Sequence, residues 1–244
     1  MMTAKVLFFI GFLPALATCF LTHTVRYPPP VYKTLKIEAP LELAQRCDDI
    51  IFSQAQAAFN KKLGILPYTL NWRNASILEQ SIANRMMGDS GRQFLNVCSQ
   101  RKVFYQSLGA MWDSCINRYH LLQKMGPSTD ISAPYIYVQI WQHLDFLCNG
   151  GAEIALNDLF TLQGFKHNPQ YEKCQTNFHN SLTSDANSLC PSTSTFIECA
   201  NEAYVSYNGV NLIQGWFVCE DLRVGFAYDC PNLRCYIIKP PKKY

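Results

Sequence analysis

Several signatures that would assign a chemistry are missing from this sequence. It holds no Gly-rich phosphate loop, no nucleophile elbow and no C-x-x-C redox pair. Cys230 and Cys235 are spaced too widely for the last of these. Charge of one sign is also scarce. The formal net charge is +3 and the basic residues form no long stripe, which excludes the electrostatic footprint of a nucleic-acid binder. No internal repeat is evident. None of the five histidines, His23, His120, His143, His167 and His179, falls in a recognised metal spacing. His143 and Asp145 are two positions apart, which on a helix points them to different sides. His167, Cys174 and His179 can be drawn as zinc ligands, but a bridged Cys174 with exposed loop histidines is the stronger reading. Catalysis is therefore not expected, and neither is a cofactor or metal.

Long apolar runs are lacking too. The run from Val6 to Ala17 is too short and too early for a membrane span, which needs about 20 residues. It follows Lys5 and ends at two small-x-small sites, Ala15-Leu16-Ala17 and Ala17-Thr18-Cys19. It reads as a secretory signal peptide over residues 1–19. Two competing readings are an uncleaved signal anchor and a bacterial lipobox at Leu16-Ala17-Thr18-Cys19. Thr18 departs from the small residue usual before a lipid-bearing Cys, and ten further cysteines fit a lipoprotein poorly.

Cysteine is what the chain has in quantity: positions 19, 47, 98, 115, 148, 174, 190, 199, 219, 230 and 235. Cleavage at or just beyond Cys19 leaves ten, and ten can close into five disulfides with no odd thiol. The expected bridge residues are Cys47, Cys98, Cys115, Cys148, Cys174, Cys190, Cys199, Cys219, Cys230 and Cys235. Their pairing is not legible, and Cys190 with Cys199 or Cys230 with Cys235 are local guesses. Apolar residues make up 48% of the chain, enough for a core, which excludes disorder over most of it.

The body shows helical rather than alternating spacing. Residues 20–40 read as a linker made stiff by Tyr27-Pro28-Pro29-Pro30. Residues 41–236 read as a cysteine-rich helical domain, and 237–244 as a basic tail. Leu43, Cys47, Ile50, Ile51, Ala55, Ala58 and Phe59 can share one face. Ser76-Ile77-Leu78-Glu79 has the form of a capping box, followed by a stripe of Ile77, Leu78, Ile82 and Met86. Asp89 or Ser90 can cap the next helix, and Asn168-Pro169 is a helix start. Tyr204–Tyr207 and Cys235–Ile238 are short β-like runs. The expected class is all-α, a disulfide-stapled bundle of short helices with an extended Pro-rich N-terminal segment. Bridges explain how such helices hold, because short helices alone are marginal in water.

Asn74-Ala75-Ser76 is the one standard glycosylation sequon, with helix capping as its bland alternative. Asp89-Ser90-Gly91 holds the one Ser-Gly dipeptide, which makes Ser90 a candidate glycosaminoglycan attachment site beside the favoured reading of a turn or cap. Trp72, Trp112, Trp141 and Trp216 can line an apolar cavity, although aromatics at helical spacing more commonly fill a core.

The segments Phe94-Leu95-Asn96-Val97-Cys98 and Trp112-Asp113-Ser114-Cys115 carry a resemblance. So do Cys174 with Phe178, Cys190 with Phe196-Ile197-Glu198-Cys199, Gly215-Trp216-Phe217-Val218-Cys219, and the closing pair Cys230 and Cys235. Together they resemble the chondroitin proteoglycan 4-like domain, a secreted cysteine-rich family known mainly from nematodes. The match runs from Cys47 to Cys235 and rests on cysteine spacing and aromatic anchors. It implies an extracellular or egg-matrix-type component without catalytic residues. This sequence departs from the family in having no Ser-Gly-rich tail, so only Ser90 is available for chondroitin. The expected function is a secreted, non-catalytic, disulfide-rich extracellular or matrix-type protein. The alternative is a carrier of an apolar small molecule or lipid in a helical cavity. The expected partner is an extracellular protein or glycan, with no nucleic acid and no membrane span after cleavage.

Overall fold

The computed structural model describes residues 24–35, 46–88, 91–126, 130–209 and 211–237. The signal segment, Ser90 and the end of the basic tail lie outside the described residues. The described residues form an all-α structure without strands, stapled by five disulfides.

The helices are α1 Val31–Thr34, α2 Asp49–Leu63, α3 Ala75–Met86, α4 Arg92–Leu108, α5 Trp112–Cys115, α6 Arg118–Gln123, α7 Ser132–Cys148, α8 Ala152–Asn157, α9 Leu159–Phe165, α10 Pro169–Ser184, α11 Leu189–Tyr207 and α12 Leu212–Phe226. Helix α7 is the axis of the fold. Thirteen of its seventeen residues are buried, as an apolar helix covered on all sides must be. α3 and α4 pack on one side of it, with α2 behind α4. α12 packs on the other, followed by α11 and α10. Trp141 of α7 stacks on Phe104 of α4 at 4.3 Å between ring centroids, and Phe59 of α2 meets Trp141 edge-on at 5.2 Å.

Local chemistry sets several boundaries. Asp48 caps α2 through its side chain, accepting from the amides of Ile50 and Ile51. Gly64 ends it in the left-handed conformation that a Cβ disfavours. Asn168 caps α10 by accepting from the amides of Gln170 and Tyr171, with Pro169 in the first turn, as the sequence predicts.

Other expectations are corrected. In α2 the buried face is Phe52, Ala55, Gln56, Phe59, Asn60 and Leu63, while Ile50 and Ile51 are exposed. Asn60 belongs inside because its Nδ2 donates to the carbonyls of Tyr68 and Leu70, and Gln56 donates to Asn60. The capping box does not form. α3 begins at Ala75, and Glu79 accepts instead from the amide and hydroxyl of Thr24 at 2.9 and 2.8 Å. Ile77 is exposed, whereas Leu78, Ile82 and Met86 are fully buried. Tyr204–Tyr207 is the last turn of α11 and not a β-like run, and Cys235–Ile237 carries no regular structure.

The N-terminal segment carries no regular structure through Pro28 and turns at Pro29 and Pro30, where Val31 donates its amide to the Pro28 carbonyl, and its described part is no free linker. Val25, Tyr27 and Val31 are buried in the core. Val25 donates its amide to Gln139 of α7 at 3.1 Å, and the Tyr27 hydroxyl donates to Asp229 at 2.8 Å. The Tyr27 ring touches Tyr135 of α7 and Phe226 of α12. The segment is thus a strap across both halves of the molecule.

Candidate functional site

All ten expected bridge cysteines are paired: Cys47–Cys115, Cys98–Cys148, Cys174–Cys199, Cys190–Cys230 and Cys219–Cys235. The local guesses Cys190–Cys199 and Cys230–Cys235 are corrected. On α11 those two cysteines point to different neighbours, Cys199 to α10 and Cys190 to the segment after α12. Pairing Cys174 with Cys199 also removes the drawn zinc set of His167, Cys174 and His179. His179 lies in α10 rather than in a loop, half-buried, and burial holds its ring below the usual histidine range. Cys47, Asp49 and His120 come together, but Cys47 sulfur is held by Cys115 and Asp49 already binds Lys124 and His120.

Asn74 is exposed at the start of α3 and makes no side-chain cap, so its amide faces solvent. The Ser76 hydroxyl of the same sequon accepts from Arg26. His143 pairs with Asp221 of α12 rather than with Asp145: Nδ1 to Oδ1 is 2.9 Å, fully buried. Burial pushes the Asp221 carboxyl above its ordinary range and His143 opposes the shift. This pair sits inside the α7–α12 contact, away from solvent, so it ties two helices and offers no reacting surface.

Two of the clefts among the described residues lie beside the readings above. The first, about 400 Å³, lies between the strap, α3 and α10 and is lined by Arg26, Ser76, Glu79, Lys166, Gln175 and His179. Its Glu79 carboxyl is raised by burial despite the two Thr24 hydrogen bonds that lower it. Those bonds commit it to the strap. The second, about 340 Å³, lies where α4, α5 and α7 meet Tyr228. α4 contributes Arg101, α5 contributes Trp112 and Asp113, and α7 contributes Trp141, Gln142 and Asp145. Arg101 pairs with Asp145 and lies 5.6 Å from the Trp112 ring centroid. Comparison with family models, with curated proteins and with solved structures finds no match. The site therefore rests on its own geometry.

The walls of the second cleft are fixed covalently. Cys98 lies one turn before Arg101 on α4, and Cys148 lies one turn after Asp145 on α7, so the Cys98–Cys148 bridge sits beside the Arg101–Asp145 pair. Cys115 ends α5 just beyond Trp112 and Asp113 and anchors it to Cys47. Of these cleft residues the sequence reading singles out Trp112 and Trp141 for a cavity, and gives Asp145 only as a neighbour of His143. Arg101 and Gln142 are absent from it. The signal for Arg101, as for Asp145, is its i, i+3 relation to a cysteine, which becomes readable once Cys98 and Cys148 are known to pair; Gln142 has no such signal.

The four tryptophans do not share a cavity. Trp141 is core, Trp72 is buried against a different cleft with Arg73 over its ring, and Trp112 and Trp216 are half-buried in separate places. The continuous Trp-lined chamber required of an apolar carrier is not what these side chains build.

Proposed function

We propose that this is a secreted, non-catalytic extracellular or matrix-type binding protein, of the kind its resemblance to the chondroitin proteoglycan 4-like domain implies. The observation that carries the reading is the closure of ten cysteines into five bridges spread over the whole body. Such density belongs to oxidising compartments. No described helix is long and apolar enough to cross a membrane, which accords with a product released into the medium. Asn74 is the glycan acceptor of the reading, and Ser90 stays its candidate glycosaminoglycan attachment site beside the favoured turn or cap. Binding is assigned to a cleft flanked by two disulfides, which limits the entropy lost on association.

The test is expression of the full chain in secreting eukaryotic cells. The medium is expected to contain a product whose first peptide begins at or just after Cys19 and whose mass falls on glycosidase treatment. Retention in the cell with the leader attached contradicts the proposal.

A further inference from the structure

The α4–α5–α7 cleft has the chemistry of a saccharide site. We propose that it binds a neutral hexopyranose unit of an extracellular glycan. This names a ligand class for the binding role above and rests on it.

Three observations converge. The first is the surface offered. The half-buried Trp112 ring and the exposed Tyr228 ring both line the cleft, and aromatic faces are what the C–H face of a pyranose lies against. Both rings are already held: Trp112 by Trp141 at 5.8 Å and Tyr105 at 4.9 Å, Tyr228 by the Arg118 guanidinium at 4.1 Å from its centroid. The second is the set of polar groups around them. Arg101, Asp113, Gln142 and Asp145 combine planar donors and acceptors, which pair with vicinal hydroxyls. The third is unmet hydrogen bonding. Arg101 Nε and Gln142 Oε1 are buried atoms with no partner, one a donor and the other an acceptor, and both residues line this cleft. An unmet buried polar atom costs about 1–3 kcal/mol. A hydroxyl donates and accepts at once, so sugar hydroxyls complete both once the two side chains turn into the cleft.

Charge selects among sugars. Arg101 balances Asp145, and Asp113 leaves the lining with one net negative charge. Nearby Arg118 is balanced by Asp229. A sulfate or uronate would face the unbalanced Asp113 carboxylate, whereas a neutral sugar meets no repulsion. The Cys98–Cys148 bridge ties α4 to α7 before the ligand arrives, and Cys47–Cys115 ties α5 to the segment before α2.

The experiment is calorimetric titration of the full disulfide-bonded secreted chain with neutral oligosaccharides built from N-acetylglucosamine, mannose or galactose, and with a sulfated chondroitin oligosaccharide. The expected result is saturable binding to at least one neutral series. Asp113→Asn, at an exposed position, and Gln142→Ala, at a half-buried one, are each expected to weaken it at least tenfold with the disulfide map unchanged. No saturable neutral binding, equal binding by both variants, or binding confined to the sulfated oligosaccharide overturns the assignment. These failures are separable from failure of the secretory reading. A correctly exported, fully bridged chain that ignores every neutral oligosaccharide sinks the cleft alone, whereas a retained chain sinks the secretory role.

Discussion

Glu79 illustrates how a residue's local pattern can be overruled from a distance. Three positions after Ser76 it has the spacing of a capping box, yet its carboxylate accepts from Thr24, fifty-five residues away in sequence. That contact takes the group out of water, and burial raises its pKa above the ordinary value of 4.5. A raised folded pKa means that the folded state holds the proton more tightly. The associated stability is fully present below 4.5 and is lost as pH rises through the folded value. Glu79→Gln keeps an acceptor for Thr24 and removes the titration. Wild type is therefore expected to lose ground against Glu79→Gln as pH goes from 4 to 7. Urea unfolding of both proteins at the two pH values checks this, and a difference that is flat or runs the other way contradicts it.

At the scale of elements, the contacts that matter are close crossings. Gly215 of α12 meets α11 so tightly that a Cβ would lie 2.4 Å from Asn201 Oδ1 and 2.4 Å from Val205 Cγ2. Alanine gains about 1 kcal/mol of helix propensity there, but overpacking a crossing costs about 1–3 kcal/mol. Gly215→Ala is expected to be net destabilising by up to about 2 kcal/mol, readable as a lowered melting temperature; a more stable variant would show that the helices have room. Elements were legible in the sequence where their signals are local. The Asn168-Pro169 start of α10 lies where the local signal puts it. Faces were less legible. In α2, Gln56 and Asn60 go inside because distant carbonyls and hydroxyls need them, and Ile50 and Ile51 go outside near the helix start. Hydrophobic period alone carries no record of such partners.

The whole molecule is two sets of helices sharing α7. Two bridges lie within residues 47–148 and three within 174–235, and among the described residues none joins the sets. The halves are held by the α7–α12 contact and by the strap. Tyr27→Ala removes a buried ring from between Tyr135 and Phe226 together with its bond to Asp229. A loss of about 3–5 kcal/mol is expected, the range for a buried aromatic cut to alanine, measured by denaturant unfolding; a loss under 1 kcal/mol would show that the strap only lies on the surface. Removing the Cys98–Cys148 bridge by a double alanine change frees a loop of 50 residues. It is expected to cost about 4 kcal/mol through the unfolded chain and to abolish saccharide binding with it. Cysteine count and parity were readable from the sequence, but partners were not, because separations from 16 to 68 residues are fixed by which helices cross around α7.

Non-reducing peptide mapping of the secreted chain addresses the covalent frame on which fold and cleft both depend. The expected linked peptides are Cys47 with Cys115, Cys98 with Cys148, Cys174 with Cys199, Cys190 with Cys230, and Cys219 with Cys235. Alkylation of any of these ten as a free thiol in the native protein, or a link of Cys190 to Cys199 or of Cys230 to Cys235, would contradict the account.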